Sequence, residues 1–312
     1  MPDATIEKTQ IEEPGTPPVL AEKSEKARSL WSDAWRELRR KPIFIVSALL
    51  ILGLILITLA PGLFTSVDPR AADLRNHYLT PPSYGHLFQA DWFGYDGQGR
   101  SIYSRMLYGA RASITVGICV TAAVTLLGGL AGMAAGYFGG LIDTVISRVT
   151  DIFFGIPIML GALVILNAFT NRTVWSVVFA MTFLGWTQMA RVMRGSVITT
   201  KAADYVTAAK ALGAGTGRIM LRHILPNAVA PVIVVATIAL GGYISLEATL
   251  SYLGIGLQDP TISWGIDISS AKNVIRTAPH ALFFPAGMLS VTVLAFIMLG
   301  DAVRDALDPK LR

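Results

Sequence analysis

Charge is scarce in this chain. Of its 312 residues only 15% are Asp, Glu, Lys or Arg, where a soluble domain carries roughly a quarter. That shortage, with 53% hydrophobic residues and a mean hydropathy of +0.53, excludes a disordered protein and a basic nucleic-acid scaffold. It also argues against a soluble two-domain enzyme, which the length alone would allow. Cysteine is nearly absent. A single Cys119 forms no internal disulfide and no multi-thiolate metal site, which excludes a disulfide-rich secreted module. It sits in an apolar run and reads as a small packed hydrophobe. The Gly-Lys-Ser/Thr ending of a Walker nucleotide loop occurs nowhere.

Apolar runs are what the chain has instead. A membrane-spanning helix needs about 20 mostly apolar residues. Six stretches meet or approach that length: residues 43–64, 114–138, 152–169, 174–190, 228–253 and 282–300. About forty residues precede the first, which is too long for a signal-peptide core and reads as a retained anchor. With the N-terminus placed in the cytoplasm, eighteen of the 26 Lys and Arg residues fall on inside segments and eight on outside ones. Positive charge accumulates on the cytoplasmic side. The expectation is therefore an all-α membrane protein with six transmembrane helices and both termini cytoplasmic.

The segments between the runs divide by composition. Residues 1–24, with Pro14, Pro17, Pro18 and several acids, read as a disordered cytoplasmic tail. Residues 25–41 place Leu30, Trp31, Ala34, Trp35 and Leu38 at helical spacing, which fits an amphipathic helix at the membrane surface. Residues 42–64 form the first, peripheral span, and 65–112 a long outer loop. Residues 113–301 form a five-helix core, and 302–312 a cytoplasmic tail. The glycine-rich run 94–100 in the outer loop reads as turn geometry rather than a phosphate cradle. His77 and His86 there lack a metal-ligand pattern. Gly128, Gly132 and Gly136 recur every four residues, a spacing that lets two helix backbones approach closely. Glu247 is the acid within a span. Such a carboxylate, with Tyr243 one turn earlier, either lines a substrate path or is an acid near a wet helix end.

The stretch 200–227 carries the strongest pattern. Its first half is rich in Ala, Lys and Leu and reads as a helix. Gly213 then falls where a left-handed residue closes a helix. Thr216 is placed to cap a second short helix over 217–225. The loop is tethered to the membrane at both ends and has few spare basic residues, so it does not read as a DNA-binding helix–turn–helix. It reads as a docking element. Ala208 and Ala209 let a helix sink into a partner's cleft, and Gly213 permits the reversal.

The order Ala208-Ala209, Gly213, Leu225-Pro226 resembles the EAA loop of type I ATP-binding-cassette importer permeases, with Thr207 where that family has its leading Glu. The likeness runs from the first span to the C-terminus. Gly94-Tyr95-Asp96, Gly99-Arg100, Ser104-Arg105 and Tyr108-Gly109-Ala110-Arg111 are similar to the dipeptide/oligopeptide branch, with Ser101 where that branch has Asp. So are Gly139-Gly140, Gly185-Trp186, His223-Ile224-Leu225-Pro226-Asn227, Trp264-Gly265 and Leu299-Gly300-Asp301.

The resemblance implies the type I importer permease fold and the second, C-type, of two permease subunits in a prokaryotic cell membrane. It implies a B-type permease partner, two cytoplasmic ATP-binding subunits that dock on the loops, and an external binding protein. ATP and Mg would belong to the partner ATPases, with no cofactor and no catalytic residue in this chain. Thr207, Ala208, Ala209, Gly213, Arg218, His223, Leu225 and Pro226 are the expected coupling residues. Gln258, Asp259 and Trp264 are the expected contacts with the binding protein. The substrate class is di- or oligopeptides, and the same branch handles nickel chelates and haem. A gated channel would need no such loop, and an intramembrane enzyme would need a partner for Glu247.

Overall fold

The computed structural model describes residues 35–307. The expected disordered tail, Leu30, Trp31 and Ala34 of the amphipathic segment, and residues 308–312 lie outside the described residues. What is described of that segment docks on the bundle. Leu38 is buried against Ala302 and Ala306, and Lys41 bonds Asp305 at 3.5 Å.

Helix α1 spans Pro42–Leu59, with a proline at its start where no amide partner is needed. Helix α2, Ile102–Phe138, runs 37 residues from a Ser101 cap. At 1.5 Å per residue it is about 55 Å long, against a hydrocarbon core of about 30 Å, so much of it stands clear of the bilayer. The outer loop therefore ends some ten residues before the expected position 112. A helical hydrogen-bond ladder lets the polar 102–112 stretch continue the apolar run.

The expected third span, 152–169, is not one helix. Helix α3, Gly140–Phe154, and helix α4, Ile158–Asn167, meet at 86°. Pro157 lacks the amide that a continuous helix would use, and Gly155 ends α3. The fourth, α5, is Val174–Lys201, longer than its apolar core because its arginines are paired. Helix α6 is Asp204–Ala211. Helix α7, Leu225–Tyr252, continues from an α-turn at Thr216–Arg218 and a π-helical stretch at Ile219–Ile224. Helix α8, Trp264–Ala271, crosses the outer loop, and α9 is His280–Leu307. Among the described residues four helices are long and apolar enough to cross a membrane, or five if the bent pair counts as one span.

The three glycines at four-residue spacing position the centre of the bundle. A Cβ on Gly128 would collide with the Trp186 carbonyl, one on Gly132 with the Ala190 carbonyl, and one on Gly136 would meet the Arg194 carbonyl at 2.9 Å. Successive glycines meet successively later residues, so α2 and α5 run parallel with their backbones in contact. Gly129, one position away, would place a Cβ at an ordinary 3.7 Å from Met193. Around this pair lie α7 and α9, with α1 outermost against α9 and α2.

Two alanine substitutions separate this contact from general packing. Gly132→Ala forces the two backbones apart and should cost about 2 kcal/mol. Gly129→Ala should be neutral or stabilising, by up to about 1 kcal/mol from helix propensity. Thermal unfolding of the two variants in detergent checks the difference.

Candidate functional site

The most exposed apolar residue of the loop 200–227 is Leu212, at 89%. It ends α6, and Tyr205, Ala208 and Ala209 precede it at helical spacing. Tyr205 is 46% exposed, Ala208 exposed and Ala209 half-buried. Positions 205, 208, 209 and 212 share one helix face. Val206 is fully buried and anchors the other face. The amide of Ala214 donates to the Ala209 carbonyl at 3.0 Å and that of Gly213 to Lys210 at 2.9 Å. This double bond closes the helix around a left-handed residue, and Gly213 has φ +81°, as its position implies.

The second half of the loop differs from expectation. Gly215, not Thr216, occupies the cap position, and Thr216 makes no capping bond. No separate helix over 217–225 exists. The chain is helical from Thr216 to Tyr252 over 37 residues. Pro226 has no amide to offer a carbonyl one turn back, and the preceding turns widen into the π-helical stretch. Ile219 and Ile224 are buried there, whereas Arg218 and Pro226 are exposed and Thr207 is exposed on α6. His223 and Leu225 are half-buried, and the His223 carbonyl accepts from Asn227 at 2.9 Å.

The helices flanking the loop are tied together at the same end. Arg194 of α5 grips Asp143 of α3 through two nitrogens. Arg191 bonds Asp151 at 3.3 Å and lies 4.0 Å over the Phe154 ring. Lys201 donates to the Tyr137 carbonyl at the end of α2, where the helix dipole favours a cation.

Deeper in the bundle, a cavity of about 290 Å³ opens between α3, α4, α5 and α7. Tyr243, Gln188 and Thr187 contribute its polar side chains, and Phe153 and Leu184 part of its apolar wall. Glu247 does not reach it. That residue is fully buried, accepts from Ser251 at 2.8 Å, and leaves its second oxygen without a partner among the described residues. It stands inside packed protein, neither lining an open path nor at a wet helix end. Sequence placed it near the outer surface because Leu253 follows closely, but α8 folds back over that end.

Trp264 needs the same correction. It is fully buried and donates its indole N–H to the Met106 carbonyl at 2.8 Å, so it is unable to meet an external protein. Gln258 and Asp259 are exposed.

The outer loop is held by its own charges. Asp96 accepts from the amides of Gln98 at 2.8 Å and Arg100 at 2.9 Å, and from the Arg100 guanidinium at 2.8 Å. The amides that a phosphate would need are thus already engaged, which supports the turn reading of 94–100. Arg105 is buried, pairs with Asp267 of α8 through two nitrogens and donates to the Pro69 carbonyl at 3.3 Å. His77 stacks on Tyr95 with centroids 4.2 Å apart. His86 lies 2.7 Å from Asp91 and holds that carboxyl below its usual range. Sequence reasoning missed Leu212, Tyr205 and the Arg105–Asp267 pair. The first two were legible as an apolar i, i+7 face, whereas the last joins residues 162 apart.

Long apolar helices packed as a bundle, with ion pairs gathered at their ends, define a polytopic membrane protein. The comparisons specify which. The model for the binding-protein-dependent transport system inner membrane component matches residues 128–312, and that for the N-terminal TM domain of oligopeptide transport permease C matches residues 29–82. The chain belongs to this family of transport-system inner membrane permeases.

It is 37% identical over 289 residues to the oligopeptide transport system permease protein OppC of Bacillus subtilis (strain 168), covering 93% of this chain and 92% of that one. It is 37% identical to the dipeptide transport system permease protein DppC of Alkalihalophilus pseudofirmus, covering 96% of each. It is 34% identical to the glutathione transport system permease protein GsiD of Pectobacterium atrosepticum, covering 95% of this chain and 96% of that one.

Removing one partner of the outer pair tests how the loop is fastened. Arg105→Gln takes the paired guanidinium from the largely enclosed Asp267 carboxylate, leaving the more distant Arg100, and should cost about 2–3 kcal/mol, below the full penalty for a buried unpaired charge. Limited proteolysis from the loop side should then cut residues 65–100 faster than in the unmodified chain.

Proposed function

We propose that this chain is one of two permease subunits of an ATP-driven peptide importer, and that α6 with Leu212 is the element on which a partner ATPase acts. The observation that carries the reading is the joint between the two. An exposed apolar face at 205–212 leads through one tight turn into a helix that runs unbroken to Tyr252. A rod of 37 residues is about 55 Å long. Displacement of the loop by a closing ATPase dimer is delivered to Tyr243 and the cavity beside it. ATP and Mg act in the partner subunits. This chain supplies a bistable packing that its partners bias.

Six crossings with both termini inside fit this reading. Because α2 and α5 are parallel, residues 139–173 must return across the membrane between them, and the bent pair α3–α4 is the return. Lys41, Asp305 and the loop 200–227 then share one side, the side richer in basic residues. That side is the cytoplasm of a prokaryotic cell whose inner membrane holds the subunit. A second, B-type permease completes the path. An external binding protein delivers substrate, with Gln258 and Asp259 exposed on its side.

The relatives named for oligopeptide, dipeptide and glutathione transport support short peptides as the substrate class. A nickel chelate or haem is the second reading. A screen of the cognate binding protein against peptide libraries decides between them. Tight binding of a metal chelate with no peptide retained would overturn the peptide assignment.

Leu212→Glu places a charge on a side chain that touches almost nothing in this chain, so the subunit should fold normally. It should lose most co-purification of the ATPase subunits while keeping its permease partner. Gly213→Val forces a β-branched residue into a left-handed conformation, at about 1–2 kcal/mol. Its assembled complex should import peptide slowly, with reduced substrate-stimulated ATPase activity. Normal coupling in both variants would remove the loop from the mechanism.

A further inference from the structure

A second opening on the bundle lies beside the helix that leaves the loop and includes Leu225, one of the expected coupling residues. Ile118 and Leu126 of α2 and Leu221, Leu225 and Val229 of the continuous 216–252 helix line a groove of about 550 Å³. The lining is almost wholly apolar, and Leu126 and Leu221 are 63% and 65% exposed. From Ile118 to Met133 the groove runs about 22 Å along α2. One leaflet supplies about 15 Å of hydrocarbon, so a single extended acyl chain fits the length. Two polar atoms interrupt the wall. The hydroxyls of Thr121 and Thr125 are buried without a partner among the described residues, and a rotamer change returns either to a carbonyl one turn back.

Charge distinguishes the two ends. Arg218 and Arg222 flank Leu221 at the loop end, both exposed, and neither pairs with a carboxylate among the described residues. No Asp or Glu occurs between Asp204 and Glu247, nor anywhere in α2. The groove itself is lined with hydrocarbon, and these two unneutralised arginines stand beside Leu221 beyond its loop end, outside the lining. That polarity matches a lipid with a negative headgroup. Basic pockets between transmembrane helices at the cytoplasmic face hold anionic phospholipid in this way.

We propose that the groove between α2 and the 216–232 segment binds an anionic phospholipid. One acyl chain lies along Ile118, Leu126 and Val229, and the headgroup phosphate rests on Arg218 and Arg222. The bound lipid sits against the π-helical stretch that joins the exposed turn to α7. Membrane composition would thereby act on the position of that joint. This consequence rests on the transport reading, whereas the binding itself does not.

The test uses the full complex in nanodiscs of mixed phosphatidylethanolamine and phosphatidylglycerol. With a benzophenone amino acid in place of Leu126, ultraviolet light should yield a phospholipid adduct by mass spectrometry. In the complex without the photoprobe, phosphatidylglycerol should be retained over phosphatidylethanolamine on delipidation. Arg218→Gln with Arg222→Gln should weaken that preference roughly thirtyfold, at about 1 kcal/mol for each arginine. A crosslink from position 126 to a second protein chain, or to residues 1–34 of this one, overturns the proposal. So does an unchanged headgroup preference in the double variant. Both readouts are independent of peptide transport, so a wrong substrate class leaves them unaffected.

Discussion

The backbone contact between α2 and α5 is the constraint from which the rest of the architecture follows. At Gly128, Gly132 and Gly136 the absent Cβ lets the carbonyls of Trp186, Ala190 and Arg194 sit where side chains would stand. In lipid no hydrophobic effect drives helices together, so close backbone approach and dispersion must do it. The contact also fixes direction. Two parallel helices of one chain require the segment between them to double back, and Pro157 and Gly155 let that return bend through 86°. The Arg194–Asp143 pair then sits at the end where α3 leaves and α5 arrives.

Scarce charge is placed with the same economy. Arg194, Arg191 and Lys201 bind acceptors on neighbouring helices at one end of the bundle, and Arg105 and Arg100 bind Asp267 and Asp96 at the other. Apart from Arg100–Asp96, which closes its own turn, each contact ties residues forty or more apart in sequence. Between these ends Glu247 is the exception, a carboxylate enclosed by packed helices with Ser251 as its donor. One stretch makes no ion pair among the described residues. From Gly213 to Pro226 the chain relies on a left-handed glycine, a widened helical turn and two buried isoleucines.

Legibility in the sequence tracked the range of the interaction. The turn at 94–100 and the reversal at Gly213 were readable because each depends on a residue's own φ preference and on bonds a few residues long. The apolar runs were readable because lipid demands them. Thr216 failed as a cap because a helix continuing into a span needs no fresh start there. Residues 152–169 were not legible as a broken helix because composition does not register an 86° break. Trp264 was misplaced outside because an aromatic residue in a polar loop looks exposed until α8 is seen folded onto α2 and α7. Leu212 was passed over among alanines, although its exposure makes it the most prominent apolar surface of the loop.

By itself the sequence determined that the chain lives in a membrane, roughly where it crosses, and where it turns. Those properties are set by hydropathy, charge count and single-residue backbone freedom, all of which are local. Tertiary structure alone decided that Glu247 and Trp264 are interior, that Arg105 meets Asp267, and that the second half of the loop and α7 form one rod from Thr216 to Tyr252. Those facts depend on which surfaces meet, and residues 158 or 162 apart in the chain carry no local mark of their neighbours.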